Sequence, residues 1–155
     1  MSSARAIMFC GVGNAAVVAQ EAYLRWLRIG FPVSFAADHD VQLVLASQLG
    51  PKGVFVGVSH TGKTRSLLTV AKSGKDAGAH LVAITNFPSS ELARLADYVL
   101  QTAVFTAYLS GEIMSKRLAE LCIVESLFIN FLIRRKALYA ANIATSDNVL
   151  KSNKL

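Results

Sequence analysis

Short apolar runs rich in β-branched residues alternate with helical patterns through most of the chain. We expect strands over residues 6–13, 32–38, 53–59, 79–85 and 98–102, and helices over residues 15–30, 40–50, 64–78 and 90–97. In the first helix, the expected buried face comprises Ala16, Ala19, Tyr23, Leu24 and Leu27. Strands that alternate with helices form a parallel sheet from βαβ units. The sequence therefore predicts a three-layer, doubly wound α/β fold with five parallel strands.

A long helical stretch follows, from about residue 111 to residue 135, and it carries a wide apolar surface. Its apolar stripe comprises Leu121, Val124, Phe128 and Leu132, at the spacing of one helix face. Such a surface is typical of a helix packed on the sheet and equally of a subunit interface. We expect residues 1–136 to form one domain and the polar residues 137–155 to form a C-terminal tail, either helical or packed on a partner subunit.

The composition is apolar, with 53% hydrophobic and only 17% charged residues. A monomer with so few charges would expose apolar surface, so we expect a homodimer or homotetramer. The formal net charge of +6 suits phosphorylated ligands, but the basic residues are scattered and form no stripe that would bind nucleic acid. No apolar run has the length of a membrane helix, and Cys10 and Cys122 occur singly within apolar runs, as buried thiols do. We therefore expect a cytoplasmic protein that does not contact a membrane.

Two loops follow strands that would be neighbours in a doubly wound sheet of order 2-1-3-4-5. The first loop is GVGNAA, residues 11–16, after the first strand, and the second is SHTGKT, residues 59–64, after the third strand. Ligands of open parallel sheets bind at the carboxyl ends of the strands, where the strand order reverses. Both loops would therefore face a single crevice.

The second loop has the chemistry of a phosphate site. Ser59, Thr61 and Thr64 supply hydroxyl groups, Gly62 permits a tight turn, and Lys63 adds a positive charge. The unpaired N–H groups at the start of the following helix also suit a phosphate dianion. An ordinary helix N-cap requires only one hydroxyl group. The loop therefore favours a phosphate ligand over a simple cap.

Two nucleotide motifs match the same loops. GVSHTGKT, residues 57–64, fits the P-loop template G-x-x-x-x-G-K-[ST], but the later strands end without the carboxylate that would hold Mg²⁺. GVGNAA fits the dinucleotide template G-x-G-x-x-[GA], and Asp38 ends the second strand, where a ribose-binding acid would belong. A dinucleotide would leave the donors of the second loop unused. NAD is therefore the alternative, and a phosphomonoester is the prediction.

The order and spacing of four motifs resemble the sugar isomerase (SIS) domain, specifically the effector domain of RpiR-type transcriptional regulators. In this chain the motifs read GVGNA, LGPKGVFVGVSHTGKT, GAHLVAIT and SELARLAD, and SKRLAEL resembles a segment of the family's final helix. The resemblance covers about residues 5–135. It implies a flavodoxin-like fold whose five parallel strands have the order 2-1-3-4-5, and a phosphosugar-binding function.

The resemblance also implies which residues bind the ligand. The family often has a serine where this chain has Ala15, beside Asn14, and often has D-x-H where this chain has DHD, so His39 or Asp40 would replace that histidine. The phosphate would be bound by the second loop. The ligand-binding residues expected on this basis are Gly13, Asn14, Ala15, His39, Asp40, Ser59, His60, Thr61, Gly62, Thr64 and Glu112.

Conversion of an aldose to a ketose requires a positioned base, usually Glu or His. The candidates are His39, Asp40, His60 and Glu112, and none of them stands with a second group in an evident acid–base pair. We therefore predict a domain that binds a sugar phosphate as an effector, with no catalytic residue, cofactor or metal. Operator DNA would be contacted only through a helix-turn-helix domain outside this chain. The alternative is a stand-alone phosphosugar isomerase.

Overall fold

The computed structural model of the protein describes residues 4–104 and 114–151. In chain order the elements are β1 (Ala6–Gly11), α1 (Asn14–Arg28), β2 (Val33–Ser34), α2 (His39–Ser47), β3 (Gly53–Val58), α3 (Arg65–Asp76), β4 (His80–Thr85), α4 (Glu91–Leu95), β5 (Tyr98–Gln101) and α5 (Met114–Lys151). The strands form one parallel sheet in the order β2-β1-β3-β4-β5. The predicted doubly wound α/β fold and its strand order are confirmed.

Side chains of the central strands alternate between two apolar layers, one on each face of the sheet. In β1, Ile7 and Phe9 pack with residues of α1 and α5, whereas Met8 and Cys10 pack with residues of α2 and α3. All four side chains are completely buried. Strands of a parallel sheet that is covered on both faces read as continuous apolar runs. This is why the central strands could be predicted correctly from the sequence.

β2 is much shorter than the strand predicted over residues 32–38. Only Val33 and Ser34 pair with β1, and β2 is an edge strand with no neighbour on its other side among the described residues. The chain then leaves the sheet, and Asp38 caps α2 by accepting a hydrogen bond from the N–H of Val41 at 3.0 Å. Asp38 therefore ends no strand but begins a helix.

The expected buried face of α1 is partly wrong. Leu24 and Leu27 are 47% and 48% exposed, whereas Ala19 is buried as expected, together with Val18, Ala22 and Trp26. Trp26 decides this orientation because its ring packs between the sheet and α5. The aromatic rings around it belong to Phe9, Phe128 and Phe131, with centroids 5.1, 5.0 and 6.0 Å away.

α5 continues past residue 135, where the sequence predicted its end. The backbone at Arg135 is non-helical (φ −137°, ψ 16°), which marks a kink, and the helix then runs on to Lys151. Beyond the kink, Tyr139 is buried against Phe31 and Phe131. The expected start of this helix near residue 111 lies outside the described residues, and the domain boundary at residue 136 stays a prediction. Neither α5 nor any other helix in the described ranges is apolar enough over a sufficient length to cross a membrane.

The last turns of α5 hold the end of α1. The side-chain amide of Asn142 donates a hydrogen bond to the carbonyl of Ile29 at 3.0 Å, and the hydroxyl of Ser146 donates to the carbonyl of Arg28 at 2.6 Å. Arg28 also forms an ion pair with Asp147 at 2.6 Å. The final carbonyl groups of a helix have no partner within the helix. These bonds therefore satisfy the end of α1 and attach the polar tail segment to the domain.

The two cysteines lie in different environments. Cys10 is buried in β1, and this burial raises the pKa of its thiol to about 12. Cys122 lies on α5 and is exposed in the single chain. The expectation of two buried thiols is therefore wrong for Cys122, because this residue lines the open groove between α5 and β5.

Candidate functional site

The two predicted loops leave neighbouring strands at the same edge of the sheet. β1 and β3 pair in parallel, with Gly11 opposite Val58. The loops of residues 11–16 and 59–64 therefore begin side by side at the carboxyl ends of these strands. This is the point where the strand order reverses and where open parallel sheets bind ligands.

The first loop brings the start of α1 close to the end of β1. A Cβ atom on Gly11 would lie 2.5 Å from the backbone oxygen of Ala15, so this close approach requires glycine. Gly13 is the N-cap of α1 with φ 61°, and no side chain caps this helix with a hydrogen bond. Asn14 is exposed and Ala15 is half-buried. The loop therefore offers an uncapped helix N-terminus and one exposed amide side chain.

The second loop folds around the hydroxyl group of Ser59. This hydroxyl accepts a hydrogen bond from the N–H of Gly62 at 3.1 Å and lies 3.4 Å from the hydroxyl of Thr64. Ser59 is only 4% exposed, whereas Thr61 is exposed and Thr64 is half-buried. The three hydroxyl groups therefore differ in role: Ser59 shapes the loop from inside, and Thr61 presents its hydroxyl to solvent.

α3 begins directly after this loop, and its N-terminus carries positive potential. Thr64 is the N-cap but makes no side-chain cap hydrogen bond, and the first turn of α3 contains no acidic residue. The exposed Lys63 adds a cation beside this end. Uncapped N–H groups at a helix N-terminus attract anions, and a neighbouring cation strengthens this attraction.

The loop packs on the start of α4. Gly62 has φ 62°, and a Cβ atom there would lie 2.1 Å from the hydroxyl oxygen of Ser90. The carbonyl of Gly62 accepts a hydrogen bond from the N–H of Leu92 at 3.0 Å. Glycine is thus required at this position both by its backbone conformation and by the lack of space beneath it.

The end of β4 supports the other half of the loop. The N–H of Asn86 and the hydroxyl of Thr85 both donate hydrogen bonds to the carbonyl of His60, each at 3.1 Å. Sequence reasoning did not identify these residues. The strand order contained a usable signal, because β4 lies beside β3 and its last residues must therefore lie beside the loop that follows β3.

The His60 imidazole is half-buried and packs edge-on against Phe87, with ring centroids 5.7 Å apart. Burial, and then the positive charge of Lys116 on α5, lower the pKa of this imidazole. Its Nδ1 atom has no hydrogen-bond partner among the described residues. A neutral imidazole can donate one hydrogen bond and accept another. The His60 imidazole can therefore form hydrogen bonds with hydroxyl groups of a ligand, and Lys116 is a nearby cation that sequence reasoning did not assign to the site.

The predicted site residues outside the two loops are not joined to them by any hydrogen bond or ion pair in the described part of the chain. His39 and Asp40 begin α2, where His39 is half-buried and Asp40 is exposed. Nδ1 of His39 has no hydrogen-bond partner within the described ranges. Glu112 lies outside the described residues. A role for these three residues stays a prediction.

Glu120 is a buried acid that sequence reasoning missed. It lies on α5 and is 2% exposed. Burial raises the pKa of its carboxyl group to about 7, although the charges of Arg117 and Lys116 oppose this shift. Its Oε1 atom has no hydrogen-bond partner among the described residues. The signal was the position of Glu120 one turn before the buried Val124, since residues four apart share a helix face.

The described residues provide anion-binding groups rather than a metal centre. Within residues 4–104 and 114–151, no three His, Cys, Asp or Glu side chains come together in a way that could hold a metal ion. No carboxylate in these ranges hydrogen-bonds to His39 or His60. The arrangement of hydroxyl groups, uncapped N–H groups and lysines is suited to binding a phosphorylated compound.

Comparison with known proteins gives a family match over most of the chain. A family model described as SIS domain matches residues 1–130. An uncharacterized HTH-type transcriptional regulator of Caldanaerobacter subterraneus subsp. tengcongensis is 33% identical over 129 residues, which are 83% of this chain and 46% of that protein. The chain thus spans about half the length of this curated relative.

Two solved structures share the fold. NanR of Vibrio vulnificus, complexed with ManNAc-6P, superposes with a TM-score of 0.88 at 23% identity, over 97% of this chain and 56% of that one. The sugar isomerase domain of an RpiR transcription factor from Sphaerobacter thermophilus superposes with a TM-score of 0.81 at 20% identity, over 94% of this chain and 80% of that one. At these identities the likeness shows the fold.

Proposed function

The chain belongs to the SIS domain family, and on that premise we propose that it binds a sugar phosphate whose phosphate group is held by residues 59–64. One observation carries this proposal. α3 starts from the loop with no side-chain cap and no acid in its first turn, beside the Lys63 cation and the Thr61 hydroxyl. A phosphate dianion there would accept charge-assisted hydrogen bonds, which are about twice as strong as neutral ones.

The sugar would lie in the crevice between this loop and the loop of residues 11–16. Asn14 and the neutral imidazole of His60 supply donors and acceptors for sugar hydroxyl groups, and Gly13 and Ala15 leave room beside them. His39, Asp40 and Glu112 remain further ligand-binding candidates from the family resemblance. NanR, which has the same fold, was solved with ManNAc-6P, and this supports a phosphorylated sugar as the ligand class.

We infer that the domain senses its ligand for a transcriptional regulator and does not convert it. The 33% identical relative is an HTH-type regulator, and this chain matches about half of it. No acid–base pair is present among the described residues. Operator DNA would be bound by a separate helix-turn-helix domain, and the ligand would bias the arrangement of subunits. Allosteric couplings of this kind are typically about 1–3 kcal/mol.

The exposed apolar surface of α5 supports a homodimer or homotetramer. Leu118, Ile129, Ile133 and Leu138 are 55%, 43%, 72% and 66% exposed. A groove of about 630 Å³ runs between α5 and β5. Light scattering after size-exclusion chromatography should give a dimer or tetramer for the wild type and a smaller species for Ile133→Asp. Thr69→Asp, on α3 at the opposite face of the sheet, is the matched control.

Thermal unfolding with added ligands tests the binding function. The panel is fructose 6-phosphate, arabinose 5-phosphate, N-acetylmannosamine 6-phosphate, inorganic phosphate, ATP with Mg²⁺, and NAD. A ligand at a hundred times its Kd stabilises a protein by about 2.7 kcal/mol, which raises the Tm of a protein of this size by roughly 5–11 °C. One sugar phosphate of the panel should raise the Tm by this amount. Stabilisation by ATP or NAD alone would contradict the phosphomonoester site.

Variants of the loop locate the site. Thr61→Ala should weaken the stabilisation because it removes an exposed hydroxyl group without disturbing the buried Ser59. Thr69→Ala is the control, since Thr69 is exposed on α3 and its hydroxyl bonds only to the carbonyl of Arg65. The stabilising sugar phosphate is then incubated with the protein and analysed for its aldose or ketose isomer. Conversion would show that the domain is an isomerase and not a sensor.

A further inference from the structure

We propose that Thr85 is a positioning residue of the phosphate-binding loop, because its hydroxyl holds the His60 carbonyl and thereby turns the Thr61 N–H toward the phosphate. The inference rests on the proposed function and adds a residue that the loop motif does not contain. Thr85 ends β4 and is completely buried, at 0% exposure. It cannot touch a ligand itself, so any effect on binding must pass through the loop.

The Thr85 hydroxyl is held in place both as a hydrogen-bond donor and as an acceptor. It donates a hydrogen bond to the carbonyl of His60 at 3.1 Å and accepts one from the N–H of Phe87 at 3.3 Å. The N–H of Asn86 donates to the same His60 carbonyl at 3.1 Å. A carbonyl oxygen has two lone pairs, and here both are occupied by donors from the end of β4. The direction of the His60 carbonyl is therefore determined by β4.

This direction fixes the next N–H group as well. The His60 carbonyl and the Thr61 N–H belong to one peptide unit, and the described residues contain no cis peptide bond. In a planar trans peptide the C=O and N–H bonds point in opposite directions. Because the carbonyl points into the β4–α4 segment, the Thr61 N–H points to the open side of the loop. It has no hydrogen-bond partner among the described residues.

The peptide unit between Gly62 and Lys63 repeats the arrangement. The carbonyl of Gly62 is held by the N–H of Leu92 at 3.0 Å, so the N–H of Lys63 is also directed away from α4, with only a long 3.4 Å contact to the Thr61 hydroxyl. The N–H of Gly62 points inward, to Ser59. The N–H groups of residues 61 and 63 therefore face the same open side of the loop, where both can donate to one anion.

The first test is a titration of the wild-type, ¹⁵N-labelled protein with inorganic phosphate and with the stabilising sugar phosphate, followed by NMR. The amide protons of Thr61 and Lys63 should move downfield, because each gains a charged acceptor. The amide of Gly62 should change least of the three, since Ser59 already accepts its proton. Loop amides that respond without Thr61 would overturn the inference.

The second test compares substitutions at Thr85. Thr85→Val keeps the shape but loses the hydroxyl, and it should weaken binding of the sugar phosphate about tenfold, as expected for a charge-assisted hydrogen bond. Thr85→Ser keeps the hydroxyl and should bind within about twofold of wild type. Thr69→Val is the matched control, because Thr69 is exposed on α3 and its hydroxyl donates to the carbonyl of Arg65, with no bond in the described residues to His60 or to β4.

The Kd is measured at a temperature where every variant is fully folded, so a loss of stability alone does not change it. Equal affinity of Thr85→Val and wild type would overturn the inference, as would an equal loss of affinity in Thr69→Val. If Thr85→Val does not fold, the wild-type titration decides. If no loop amide responds to any phosphorylated compound, the proposed function itself fails. If other loop amides shift and the Thr61 amide does not, the inference about Thr85 is refuted and the proposed function stands.

Discussion

Replacement of Glu120 by glutamine should stabilise the protein above neutral pH. Glu120 is 2% exposed, and its Oε1 atom has no hydrogen-bond partner within the described ranges. Burial raises the pKa of its carboxyl group from 4.5 to about 7, despite the opposing charges of Arg117 and Lys116. Glutamine has almost the same shape but does not ionise. The substitution therefore removes the cost of a buried charge without opening a cavity.

The sign and size of this stability change follow from the pKa of the Glu120 carboxyl group in the unfolded and in the folded chain. Above pH 7 the carboxyl group is ionised in both the folded and the unfolded chain, and the folded state bears the full cost of the buried charge. Between pH 7 and 4.5 the folded state takes up a proton first, so this cost disappears. One pKa unit corresponds to about 1.4 kcal/mol, which makes the full cost about 3 kcal/mol. For a protein of this size that equals a rise in Tm of roughly 6–12 °C.

Urea unfolding at a series of pH values from 5 to 9, followed by the fluorescence of the single tryptophan, measures this difference. Glu120→Gln should exceed wild type in free energy of unfolding by about 3 kcal/mol at pH 8.5, and the difference should shrink toward pH 5. Glu91→Gln, on the exposed surface of α4, controls for the loss of one negative charge. A difference that does not vary with pH, or a variant less stable than wild type at pH 8.5, would refute the reasoning.

Three further substitutions test other parts of the structure. Gly62→Ala should lower the free energy of unfolding by about 2–4 kcal/mol in urea titrations, since it combines a positive φ with a Cβ atom 2.1 Å from the hydroxyl of Ser90. A cost below about 0.5 kcal/mol would contradict this. Tyr139→Ala should cost about 3–4 kcal/mol, because Tyr139 is 7% exposed; an unchanged urea midpoint would mean that the tail is not part of the core. In a Cys122→Ser background, Cys10 should react with a thiol reagent such as DTNB only upon unfolding, since burial raises its pKa to about 12, and rapid labelling of the native protein would rule this out.

Much of the fold could be predicted because its signals are local. The central strands are buried on both faces, so each is a continuous apolar run bounded by turns. The edge strand β2 was predicted too long, since it pairs with β1 only at Val33 and Ser34. The end of α5 was missed because contacts with α1, more than a hundred positions away in sequence, hold its last turns through Asn142 and Ser146.

The candidate site likewise has a local part that the sequence predicted and a part that depends on residues from distant segments. The donors of the second loop lie within six consecutive residues, so Ser59, Thr61 and Thr64 can be recognised from the sequence alone. The support beneath them comes from Thr85 and Ser90, which reach the loop only because β4 lies beside β3. Sequence spacing does not show which side chains meet across neighbouring strands.

The sequence by itself determined the α/β fold class and the loop that carries phosphate-type chemistry, because both depend on residue types at short spacings. The strand order followed from the family resemblance, and the structure confirmed it. The tertiary structure decided which face of α1 is buried, the raised pKa of Glu120 and the directions of the loop N–H groups. Each of these depends on groups from distant parts of the chain, because burial and hydrogen bonding are set by what packs against a residue and not by its sequence neighbours.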